Sequence, residues 1–278
     1  MIPRVRARTG AEMPVLGLGT WRMGEDTRRR AAEVAALKLG FDLGMTLVDT
    51  AEMYAEGGAE RVVSEAIGGG RDEVFVVSKV LPENASLSGT IQAAERSLRR
   101  LATDRIDLYL LHWAGPHPLE GTLAAFRRLQ RDGKILHYGV SNFGLPEVEQ
   151  ALGHPGGDLV GANQVLYNLE RRGIERSLLP WSRRRGIVVM AYSPLEQGRL
   201  KTRPALEKVA RAHDLTPACA ALAWTIRESG IVALVKASDP RHVRDNVRAA
   251  AVRFSAADLD ELERAYPAPE HDVPLETL

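Results

Sequence analysis

The sequence predicts an α/β fold, a single (β/α)8 TIM barrel with an N-terminal β-hairpin. Eight short, apolar, β-rich runs recur along the 278 residues, and helix-period segments fill the intervals between them. No Pro/Gly/Ser-rich linker or low-complexity tract breaks this alternation. Residues 1–278 are therefore assigned to one barrel domain rather than to a doubly wound sheet with a second domain. A hydrophobic content of 45% allows a substantial core but does not choose between those architectures.

The opening segment Arg4–Ala11 precedes the first run and is placed as a hairpin sealing the barrel bottom. The eight strands are then Val15–Thr20, Thr46–Asp49, Val74–Lys79, Ile106–His112, Ile135–Ser141, Leu159–Gln164, Ile187–Tyr192 and Ile231–Lys236. Runs such as Ile187-Val188-Val189-Met190-Ala191 are apolar at consecutive positions, as a parallel strand covered on both faces requires. Of the helices, one carries Ile91, Ala94, Leu98 and Leu101 on one face behind Ser86 or Ser88. Another carries Leu123, Phe126 and Leu129 and is closed by Gly133.

Lys plus Arg number 37 against 36 for Asp plus Glu, so a net charge of +1 offers no broad footprint for nucleic acid or an anionic membrane. The clusters Arg28-Arg29-Arg30 and Arg183-Arg184-Arg185 read as solvated helix faces. The N-terminus lacks the apolar run of a signal peptide, and no segment approaches the ~18 apolar residues of a membrane helix. A cytoplasmic monomer is expected. Cys219 is the only cysteine, which excludes an internal disulfide, and no two of the seven histidines stand four apart, so no metal is expected.

A barrel carries its chemistry at the C-terminal ends of its strands, and those ends are polar here. They are Gly19-Thr20-Trp21, Asp49-Thr50 with Tyr54 in the following loop, Lys79, His112, Ser141-Asn142, Asn163-Gln164, Tyr192-Ser193 and Lys236. An ionisable group ending an apolar strand is costly unless paired, which makes Asp49 and Lys79 natural partners on adjacent strands. Lys79 and Lys236 also stand out as two of only six lysines in an arginine-rich chain. A neighbouring ammonium is expected to lower the pKa of Tyr54 and so fit it as a general acid. Taken singly, Asp49 and Lys79 also fit a structural ion pair, Tyr54 a packed ring and His112 a hydrogen-bonded strand residue. Their convergence on adjacent strand ends favours a site.

At these positions the sequence resembles the aldo-keto reductases, particularly bacterial members that reduce small aldehydes such as methylglyoxal. The matching segments are LGLGTW (16–21), VDTAEMYAEGGAERVVSEA (48–66), VVSK (76–79), DLYLLHW (107–113), YGVSNF (138–143), NQVLYN (163–168), AYSPLEQG (191–198) and VKASDPRHVRDN (235–246). They span nearly the whole chain in the family's order. The resemblance implies a catalytic set in which Tyr54 donates a proton, Lys79 paired with Asp49 lowers its pKa, and His112 orients the carbonyl.

For NADPH or NADP, with NADH an alternative, the resemblance implies that Ser141, Asn142 and Gln164 bind the carboxamide while Tyr192 stacks on the nicotinamide. Ser193, Leu195, Gln197 and Gly198 fold over the pyrophosphate. Lys236, Ser238, Arg241, His242, Asp245 and Asn246 take the adenosine end, and Gly19, Thr20, Trp21 and Asp49 complete the cofactor set. The family commonly holds the 2′-phosphate with Lys-Ser and an Arg six residues after the Lys. Ala237 and His242 stand at two of those three places, leaving Ser238 and Arg241 one residue away as substitutes. Gly17, Gly19 and Gly24 have the wrong spacing for a GxGxxG fingerprint.

Trp21, Tyr54, His112 and Trp113, with Met53, line the expected pocket. Ala114–Thr122 and the stretch beyond Tyr266 are short, and since the family builds its larger pockets from those loops, the resemblance implies an open site for small carbonyls. The rival roles are a nicotinamide-nucleotide-sensing subunit with slow catalysis and a barrel of unrelated chemistry.

Overall fold

Eight parallel strands close on themselves in the computed structural model, which describes residues 2–278. A two-stranded antiparallel hairpin comes first, β1 (Arg4–Arg6) with β2 (Glu12–Pro14). The barrel strands follow as β3 (Leu16–Gly19), β4 (Leu47–Asp49), β5 (Phe75–Val80), β6 (Ile106–Leu111), β7 (Ile135–Ser141), β8 (Val160–Leu166), β9 (Val188–Tyr192) and β10 (Ile231–Val235). Each pairs with its sequence neighbours, and β10 closes onto β3. All eight lie within the expected runs or overlap them, with ends displaced by one or two residues where the ladder gives out.

The hairpin runs past its expected end at Ala11. Pro14 pairs with Arg4 in the last rung, a position where a proline is tolerated at a strand end. Ala7, Ala11 and Met13 pack against the inward side chains Leu47, Val77, Leu108, Leu110, Ala162, Val188, Met190, Val232 and Leu234. This closes the barrel floor and keeps its interior a packed core rather than a pore. The register slips between β7 and β8 at Gly139, where a Cβ would stand 2.4 Å from the Ala162 carbonyl oxygen.

Helices α1 (Arg30–Asp42), α2 (Gly58–Ile67), α3 (Leu87–Leu101), α4 (Leu119–Arg131), α5 (Leu145–Gly153) and α6 (Leu178–Arg185) form the outer layer. After β9 come α7 (Pro204–Ala212) and α8 (Pro217–Thr225), and after β10 come α9 (Pro240–Arg248) and α10 (Ala256–Ala265). The Ser86 hydroxyl accepts from the Gly89 amide at 3.0 Å and caps α3, whose Ala94, Leu98 and Leu101 are buried. Beyond α4, Gly133 adopts φ +71°, as its capping role requires. Arg28 and Arg183 are exposed and Arg30 is half-buried, and the three pair with Asp26, Glu228 and Glu65. Among the described residues no helix is long and apolar enough to cross a membrane.

Candidate active site at the barrel mouth

Adjacent pairing of β4 and β5 brings Asp49 and Lys79 together. The Lys79 ammonium donates to both Asp49 carboxylate oxygens at 2.9 and 2.8 Å, to the Thr50 carbonyl at 2.8 Å and to the Tyr54 hydroxyl at 3.3 Å. Lys79 is fully buried. Tyr54 opens a short turn, Tyr54–Gly57, in which Ala55 and Glu56 sit in the left-handed region at φ 50° and 51°. The buried Glu52 carboxylate anchors that turn from below, accepting from the Leu81 amide at 2.8 Å and from Asn84 Nδ2 at 2.9 Å.

The electrostatics correct one expectation. Burial raises the Tyr54 pKa above its ordinary value; Lys79 opposes the rise, while the Asp49 charge adds to it. The ammonium acts as expected, but much of its field is spent on Asp49. Burial disfavours the Lys79 ammonium as well, yet Asp49 and Tyr54 outweigh it and hold the group charged. Burial, with Lys79 nearby, pushes His112 down to about 2, so its imidazole is neutral.

The His112 ring stands 5.8 Å from Tyr54 and 4.7 Å from Trp113. Trp21 meets Tyr54 edge-on at 4.9 Å while remaining 40% exposed. The four expected pocket residues therefore do converge on one apolar wall.

Across the mouth, Ser141, Asn142, Gln164 and Tyr192 are already bonded to one another and to the first group. Ser141 Oγ donates to the Gln164 carbonyl at 2.9 Å, Asn142 Nδ2 to the His112 carbonyl at 3.1 Å, and Tyr192 OH to Asn142 Oδ1 at 3.0 Å. Gln164 Nε2 is committed to Asp49, which leaves its Oε1 as the acceptor facing outward. Asn142 takes φ +58°, and burial pushes the Tyr192 hydroxyl up to about 12.

The segment after β9 is strained at Ser193, Glu196 and Gln197, all with φ near +50°. Residues outside the expected set hold it. Asn168 Nδ2 donates to the Ser193 carbonyl at 2.9 Å and to Glu196 Oε2 at 2.8 Å, and Arg171 Nη2 meets Glu196 Oε1 at 2.9 Å. Arg171 Nη1 also meets Glu276 Oε1 at 2.7 Å, and Val273 lies over Gly173, so the tail crosses this side of the mouth. Nothing in the sequence marks Glu196 as buried, so its need for a cation, met by Arg171, shows only in the fold.

At the far end, Gly19 lies against the Lys236 backbone, and Thr20 Oγ1 donates to the Asp49 carbonyl at 2.9 Å. Partial burial lowers the Lys236 pKa, and Arg29 and Arg22 lower it further. Ser238 Oγ is buried without a partner. Arg241 is exposed and bound at both carboxylate oxygens of Asp239, which weakens it as a stand-in for the missing arginine. His242 is exposed on the first turn of α9, Asp245 is engaged by Thr216 and Arg248, and Asn246 is buried. Leu195 is half-buried, and Gln197 and Gly198 are exposed on the strained loop.

The profile of the Aldo/keto reductase family matches residues 15–267. The chain is 48% identical over 269 residues to "Methylglyoxal reductase YeaE" of Escherichia coli K12, covering 95% of each protein. It is 31% identical over 272 residues to "Glyoxal reductase" of Bacillus subtilis 168, covering 96% of each. An aldo-keto reductase from Klebsiella pneumoniae, crystallised with NADPH, superposes with a TM-score of 0.97 at 44% identity over 100% of both chains. A barrel with this strand order, these polar strand ends and these relatives belongs to the aldo-keto reductase family, oxidoreductases that act on carbonyl groups.

Proposed function

We propose that the chain, working as one domain over residues 1–278, reduces small aldehydes and ketones to alcohols with NADPH and Tyr54 as the general acid. The observation that carries this reading is the fully buried Lys79 ammonium, bonded at once to Asp49 and to the Tyr54 hydroxyl. The names of the relatives, methylglyoxal and glyoxal reductases, favour small 2-oxoaldehydes as substrates.

The residues present fit a nicotinamide dinucleotide. Gln164 Oε1 is free to accept from a carboxamide, Ser238 Oγ is an orphaned buried hydroxyl, and the Lys236 cation is raised back toward its ordinary charge state by an incoming phosphate. Tyr192 would stack on the nicotinamide, and the Ser193–Gly198 loop would hold the pyrophosphate. When bound, the cofactor supplies the hydride to the carbonyl carbon.

Tyr54 hands its hydroxyl proton to the carbonyl oxygen, and Lys79 at 3.3 Å stabilises the phenolate left behind. His112, neutral, contributes one N–H and no charge, so it orients the oxygen without competing as the acid. Trp21 and Trp113 wall the pocket beside Tyr54 and His112.

Absorbance at the nicotinamide band, followed with NADPH and a panel of small aldehydes, tests the reading. Turnover with several 2-oxoaldehydes is expected. Tight NADPH binding without turnover of any carbonyl would instead favour a nucleotide-sensing role.

A further inference from the structure

Away from the mouth, on the outer layer, Arg61 of α2 and Arg96, Arg99 and Arg100 of α3 line an open basin of about 420 Å³. The spacing 96, 99, 100 puts three guanidinium groups on one helix face, turned toward Arg61. Two of the four have acids beneath them. Arg100 pairs with the fully buried Glu60, which also accepts from Ser78 Oγ at 2.8 Å, and Arg96 reaches Glu52 at 3.4 Å. Arg61 and Arg99 make no salt bridge and no side-chain hydrogen bond among the described residues, although Arg99 lies near enough to Glu95 to help lower its pKa. The neighbouring Glu95 is taken by Lys134. Four guanidinium groups against two buried carboxylates leave a local excess of about two positive charges at the basin wall.

We infer that this basin is a binding site for a small soluble diphosphate, held by Arg61 and Arg99 with Arg96 and Arg100 behind them. Guanidinium forks match phosphate oxygens in pairs, and two unpaired forks on facing helices offer that geometry from both sides. The charge excess matches a phosphate-bearing anion, and four guanidinium groups gathered at one spot suit a compact ligand rather than an extended strand. No residue of the barrel mouth lines it, so occupancy does not require the cofactor site.

The test is isothermal titration of inorganic pyrophosphate into enzyme saturated with NADPH, which removes the cofactor site as a competitor. Wild type is compared with the double variant Arg61→Gln/Arg99→Gln, whose substituted side chains are exposed and unpaired and so leave the fold intact. One site per chain with submillimolar affinity is expected, weakened by ~10-fold or more in the double variant while the NADPH dissociation constant stays unchanged. Absence of saturable heat, or equal affinity in both proteins, overturns the proposal. So does co-sedimentation with phosphatidylcholine vesicles doped with phosphatidic acid when free pyrophosphate fails to bind, because the basin would then serve a membrane headgroup.

Discussion

Gln164 donates from Nε2 to Asp49 Oδ1 at 2.7 Å, joining residues 115 apart in sequence across the barrel mouth. Asp49 thereby accepts from Gln164 as well as from Lys79, and its buried carboxylate is fully committed. The group proposed to hold the carboxamide and the group proposed to tune the acid share one anion, so the cofactor side of the mouth and the proton side are set by the same contact.

Loss of Lys79 leaves that anion buried with one donor. Lys79→Met is expected to destabilise the fold by roughly 3–5 kcal/mol and to abolish turnover. In the double variant Asp49→Asn/Lys79→Met most of the stability should return, because no unpaired charge remains, while activity does not. Urea unfolding midpoints with steady-state rates on the three proteins measure both. A double variant that recovers activity along with stability would remove Lys79 from the chemistry.

Tyr54→Phe should leave NADPH affinity nearly unchanged and lower kcat by at least ~10²-fold, since it deletes a donor used only in the transition state. Its ring still packs against Trp21, so its melting temperature should stay close to wild type. A phenylalanine variant that keeps most of its turnover would falsify the assignment of the acid.

The His112 imidazole is held down to about 2 in the fold, against 6.5 for an exposed histidine. Between those values the unfolded chain takes up a proton that the folded chain refuses. This residue's share of stability is therefore intact above 6.5 and drains away as pH falls through the window, at up to about 1.4 kcal/mol per pH unit. His112→Asn should flatten the fall in unfolding free energy between pH 6.5 and 5 relative to wild type. Identical slopes would mean that the imidazole protonates inside the fold.

At the adenosine end, Lys236→Met should weaken NADPH by ~10-fold or more and leave NADH almost unaffected, because only the 2′-phosphate needs the cation. Arg241→Met should do little, since Asp239 already neutralises that guanidinium. Dissociation constants from quenching of tryptophan fluorescence check both. Equal NADPH and NADH affinities in the unaltered protein would exclude a phosphate role for this segment.

How legible these features were in the sequence depended on what each residue needs locally. Asp49 and Lys79 could be paired in advance because a charge ending an apolar strand demands a partner on the next strand, and period-2 strands fix which neighbour that is. The direction of the Tyr54 shift could not, because it rests on depth of burial, and a loop residue's depth has no periodic signature. Asn168, Arg171 and Glu196 escaped notice for a related reason, since loop hydrogen bonds follow no spacing rule. Arg241 could be nominated for a phosphate only until Asp239, two residues away, was seen to occupy it.

One guanidinium serves two masters on the far side of the mouth. Arg171 holds Glu196 of the loop assigned to the pyrophosphate through Nε and Nη2 and Glu276 of the tail through Nη1. With that loop over the pyrophosphate as proposed, a change that loosens the tail would also unlatch the loop. Room gained on that side of the mouth would then come with faster loss of the reductant.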